Sequence, residues 1–110
     1  MGKFIVKIKD YYLEWSTIVD GPVTFGMKIE DFKRYYRDMY GEEVMRELPL
    51  RLERVEQKGT SAIDHEDIND TIRFNRAGPR EGILRINEIY KAYCLMEPIR
   101  KGWMVPTVDH

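Results

Sequence analysis

Residues 3–19 read KFIVKIKDYYLEWSTIV. Phe4, Val6 and Ile8 fall on alternate positions, with mostly lysine on the other side. A period of two sends successive side chains to opposite faces, the pattern of a half-buried strand. Tyr11, Leu13, Trp15, Thr17 and Val19 keep that period. A second strand is expected to follow, with Asp10 near the bend. One long bent strand satisfies the same alternation.

The period then changes. Asp20-Gly21-Pro22 signals a turn, and Val23 to Gly26 form a loop. From Met27 to Tyr40, the residues Ile29, Phe32, Tyr36 and Met39 recur at helical spacing. Glu30 and Asp31 suit the positive end of the helix dipole, and Gly41 suits a left-handed cap. Val44, Leu48, Leu52 and Val55 share a second helical face. Pro49 has no amide proton and crowds the carbonyl of Met45, so two helical pieces should meet near Leu48. Alternatively, Leu50 to Leu52 begin a strand. Gly59 closes the segment.

Asp64 is a candidate helix cap, followed by a face of Ile68 and Ile72. Asn87 or its neighbour should start a last helix with Ile89, Tyr90, Tyr93 and Cys94 inward, stopped by Pro98. Trp103, Met104 and Val105 suggest a short closing strand. The expected fold is a single α+β domain over residues 1–110. N-terminal β strands pack with three to four helices, and a short extended segment ends the chain. Many helices on a short chain leave few buried residues in each, which favours a homo-oligomer.

The 18 basic and 19 acidic residues nearly cancel, for a net charge of −1. Whole-surface attraction to duplex nucleic acid or to anionic lipid is therefore not expected. No apolar run approaches the roughly 20 residues that span a bilayer. Residues 3–9 are too short and too regularly charged for a signal peptide. The single cysteine, Cys94, forms no internal disulfide and fits a reducing compartment. A cytoplasmic protein is expected.

Two stretches carry candidate binding chemistry. Residues 71–85 read TIRFNRAGPREGILR. Arg73, Arg76 and Arg80 offer guanidinium forks, Asn75 a polar edge and Phe74 a stacking face, an inventory suited to an anion or nucleotide. The competing reading is a turn whose arginines pair with Asp70, Glu81 and Glu88. A calcium loop beginning at Ala77 would place Gly82, Leu84 and Glu88 correctly. It fails because Ala77, Pro79 and Glu81 stand where Asp or Asn ligands are needed. On the first helix, Arg34, Tyr35, Arg37 and Tyr40 form a stripe beside the apolar face, a candidate protein interface.

Catalytic and metal signatures are weak. No nucleophile elbow, phosphate loop or local Cys–His signature is present. Asp64, His65, Glu66, Asp67 and Asp70 hold ligand atoms, but acids at a helix start are explained by capping. No enzyme, metal or cofactor is assigned.

Residues 11–41 carry Trp15-Ser16-Thr17, Asp20-Gly21-Pro22-Val23-Thr24, Gly26-Met27 and a helix with Phe32, Tyr35 and Tyr36. This segment resembles small proteins of tailed phages that have no assigned activity. The resemblance implies a viral accessory protein that acts in the host cell by occupying a target. The first expectation is an inhibitor that binds and blocks a host or defence protein. The alternatives are sequestration of a nucleotide-type signalling molecule in an Arg/Tyr-lined pocket, and a small structural or virion-assembly role.

Overall fold

A computed structural model describes residues 2–100 and the backbone of residues 104–105. Strand β1 (Lys3–Ile8) and strand β2 (Tyr11–Ser16) form an antiparallel hairpin. The chain reverses at Lys9 and Asp10, with Lys9 in the left-handed region at φ 55°. A hairpin, not a bent strand, therefore satisfies the opening alternation. β2 stops at Ser16, short of Val19, and pairs on its other side with β3 (Gly21–Pro22).

The register explains the layering. Val6 faces Leu13 and Phe4 faces Trp15 on one side of the hairpin, whereas Ile5 faces Glu14 and Lys7 faces Tyr12 on the other. Both sides are covered, which corrects the expectation of a half-buried strand. Val6, Ile8, Leu13 and Trp15 pack with Ile72, Leu84, Ile89 and Cys94. Ile5 and Tyr12 pack with Phe32, Tyr36, Leu48 and Val55. The hairpin is thus the middle layer of two cores. Each fully buried large apolar side chain adds about 1.5–3 kcal/mol.

Helix α1 (Ile29–Tyr40) supplies Phe32 and Tyr36 to the second core. Met39, read as part of that face, is exposed. A short 3-10 turn (Val44–Arg46) precedes helix α2 (Leu48–Lys58), which has Pro49 in its first turn. This settles residues 49–58 as helix. Gly59 ends α2 at φ 83°, a conformation that costs other residues more than glycine. Its carbonyl accepts from the Lys7 amide, and the Ser61 amide donates to Ile5, so the segment after α2 covers the free edge of β1.

Helix α3 (Ile68–Ile72) is capped by Asp67, whose side chain accepts from the Asn69 amide at 2.9 Å. Asp67, not Asp64, is therefore the cap. Strand β4 (Ile83–Leu84) has no counterpart in the sequence reading; it pairs with β5 (Met104–Val105). Trp103 lies outside the described residues. Helix α4 (Ile86–Ile89) widens into a π-type turn at Tyr90–Cys94 and ends before Pro98. No helix among the described residues is long and apolar enough to cross a membrane.

Candidate functional site: an arginine- and tyrosine-lined recess

Glu14 sits in the middle of β2, on the face that α1 covers, and is 2% exposed. The hydroxyls of Tyr35 and Tyr40 each donate to one of its carboxylate oxygens. Burial raises the pKa of both phenols, and the bonds to Glu14 raise it further. These side chains stay protonated and act as fixed donors. Glu14 takes part in no salt bridge among the described residues. A buried carboxylate without a cation is costly unless hydrogen bonds satisfy it, which the two phenols do in part.

Glu14 borders a recess of about 980 Å³ lined by the N-terminal strands, α1, α2 and residues 61–64. Tyr36, Tyr40, Lys3, Arg51 and Arg54 also border it. The rings of Tyr36 and Tyr40 are 4.8 Å apart, and the Lys3 ammonium lies 5.9 Å from the Tyr40 ring centre. Arg51 and Arg54 stand one helical turn apart on α2 and reach the recess together. Arg51 donates to the Tyr36 hydroxyl at 2.7 Å and pairs with Glu47 at 3.3 Å. Arg54 donates from Nε to the Ser61 carbonyl at 2.9 Å, while Ser61 Oγ accepts from the Ile5 amide at 2.8 Å. Both guanidiniums are thus oriented by the fold before any ligand arrives. Three exposed aliphatic residues border the same recess: Ile18 (79%), Leu50 (62%) and Ile63 (78%).

The α1 stripe divides. Tyr35 and Tyr40 turn inward to Glu14, whereas Arg34 pairs with Asp31 at 3.0 Å and Arg37 with Glu42 at 3.0 Å on the solvent side. Residues 73–80 lie elsewhere and none borders the recess. Asn75 is 1% exposed. Its Nδ2 donates to the carbonyls of Ile72 and Leu84, and its Oδ1 accepts from the amides of Ala77 and Leu84. Asn75 thus shapes the turn. Arg76 bridges Asp20 at 3.1 Å and Glu81 at 3.0 Å. Arg73 lies over the ring of Phe74 at 5.6 Å, both exposed, and Arg80 is exposed with φ 56°.

Other titratable groups have structural partners. Lys7 pairs with Glu56 at 2.8 Å, and Tyr12 donates to the same carboxylate. The Lys7 bond, then the Tyr12 bond, holds the Glu56 carboxyl below its ordinary value. Burial pushes the Cys94 thiol up to about 11, so it is a poor nucleophile. Asp70 accepts from the Glu66 amide, and His65 Nδ1 meets Thr71 Oγ1 at 2.7 Å. Among the described residues, no three His, Cys, Asp or Glu side chains gather as a metal-binding group.

The sequence reading passes over Glu14; the signal that could have found the recess is a lone Glu in the apolar run YYLEWS. A carboxylate there is either at the surface or deliberately paired. No family model, curated protein or solved structure matches the chain.

Proposed function

We propose that the protein is a non-catalytic binding protein that holds a small, phosphate-bearing nucleotide-type ligand in the recess. The observation that carries this reading is the convergence of Arg51 and Arg54 on the same concavity as Tyr36 and Tyr40. Guanidinium forks match phosphate oxygens, and the partly exposed Tyr40 ring, backed by the buried Tyr36, offers an apolar surface to a base. The volume suits a ligand of that size. The resemblance to small tailed-phage proteins makes sequestration of a host signalling nucleotide, in the host cytoplasm, the biological form of this reading.

Thermal unfolding with a panel of mononucleotides, dinucleotides and cyclic nucleotides tests it. A ligand at about 100 times its Kd stabilises the fold by about 2.7 kcal/mol, roughly 10 °C or more for a domain of this size. The Arg51→Ala/Arg54→Ala variant should lose that shift, and Arg76→Ala/Arg80→Ala should keep it. A panel that leaves melting unchanged rejects the reading.

A second reading, a blocker of a partner protein, is favoured by the aliphatic trio around the recess. Exposed aliphatic residues grouped at one concavity are a feature of protein interfaces. Here Leu50→Asp and Ile63→Asp should abolish capture of a host protein, and retained capture rejects this use of the surface.

A further inference from the structure

We propose that Glu14 selects the ligand by accepting N–H donors from its base, and that a guanine edge, with two adjacent donors, is the best match. This rests on the reading of the recess as a nucleotide site.

A carboxylate only accepts hydrogen bonds, at about four lone-pair positions. Tyr35 and Tyr40 occupy one position on each oxygen of Glu14. No salt bridge among the described residues supplies more donors. The remaining positions belong to a buried group that borders the recess. A ligand that reaches them must provide donors. One that cannot leaves a buried charge under-satisfied, and such sites discriminate strongly.

The arrangement is also polarised. Arg51 and Arg54 approach from α2, whereas Glu14 lies on β2, with its phenol donors arriving from α1. An acidic group belongs on the α2 side and a donor-bearing group on the strand side. Glu47 and Asp64 also border the recess, yet both are exposed, and Glu47 already pairs with Arg51. The two phenols hold Glu14 from one side, so its orientation is set in advance. Guanine presents N1–H and the 2-amino group side by side, the spacing that a carboxylate accepts with both oxygens. Hypoxanthine keeps the first donor and lacks the second.

Calorimetric titration with GDP, IDP, UDP and pyrophosphate tests this. GDP should bind at least about tenfold tighter than IDP, and pyrophosphate most weakly. Glu14→Gln should bring GDP and IDP together, with pyrophosphate bound no more weakly, since the substitution removes a negative charge from the recess. If that variant fails to fold, as circular dichroism would reveal, the wild-type GDP/IDP ratio decides alone. Equal binding of GDP and IDP, or a preference that survives in Glu14→Gln, overturns the assignment and leaves the nucleotide reading standing. No binding of any of the four overturns both.

Discussion

The hydroxyl of Tyr40, on the last turn of α1, donates to the carboxylate of Glu14, 26 positions earlier in the chain. That bond joins helix to strand and satisfies a buried charge at once. Tyr40→Phe removes the donor and leaves the ring. The expected cost is about 1–3 kcal/mol, because an acceptor in a buried site is left short. Tyr35→Phe should cost a similar amount, and the double variant should not equal the sum, since both phenols serve one carboxylate. Urea unfolding measures this. A change below about 0.5 kcal/mol for Tyr40→Phe would mean that water replaces the phenol without penalty.

The same phenols predict an alkaline limit to stability. Burial raises Tyr12, Tyr35, Tyr36, Tyr40 and Tyr93, with hydrogen bonds to Glu14 adding to it for Tyr35 and Tyr40. A folded-state value above the unfolded one means that the folded chain keeps a proton the unfolded chain loses. The stability is fully present below about pH 10 and declines as pH rises beyond it. Ultraviolet titration of phenolate should show these five side chains ionising late, in step with unfolding by circular dichroism. Ionisation near the ordinary tyrosine value in the intact fold would contradict the burial of these groups.

The turn at residues 75–81 separates a structural side chain from surface ones. Asn75→Ala removes four hydrogen bonds in a buried position and should cost about 3 kcal/mol or more. Arg76→Ala breaks two partly exposed ion pairs and should cost under about 1 kcal/mol. Thermal and urea unfolding of both variants provide the comparison. A reversed order would show that the arginine, and not the amide, holds the turn.

Much of the architecture was legible because local chemistry and tertiary packing agree. Phe32 and Tyr36 keep helical spacing, and Gly59 ends α2 in the left-handed region; Gly41 also ends α1 at positive φ, but at φ 89° and ψ 174° and not in the left-handed cap expected of it. Pro49 divides residues 42–58 where its missing amide requires. The site was less legible. Alternation drew attention to Leu13 and Trp15 and left Glu14 on a face taken to be solvent. Only the docking of α1 turns that face inward. Tyr35 and Tyr40 were recognised as unexplained by the apolar stripe, but a helical wheel cannot say that they lean over a strand. Arg51 and Arg54 were visible only as charges on α2. Their shared direction depends on how the segment around Ser61 closes against β1.

Gly26 offers a test of packing between the β2 edge and the π-type turn. A Cβ added there would lie 2.6 Å from Cys94 Sγ and 3.0 Å from Tyr11 Cβ. Gly26→Ala should therefore cost about 1–3 kcal/mol through overpacking. Cys94→Ala removes the nearer atom, so the double variant should be more stable than the sum of the single effects predicts. Additivity within about 0.5 kcal/mol would show that the sulfur is not the obstacle.

The pairing of Ile5 with Glu14 and of Val6 with Leu13 constrains the chain in another way. Loss or gain of one residue inside either strand reverses every side chain beyond it. A residue gained in β2 ahead of Leu13 would turn Glu14 into the apolar layer of Val6 and Ile89, and Leu13 and Trp15 toward α1. A one-residue insertion should therefore be tolerated in a connection such as residues 17–20 and not inside β1 or β2.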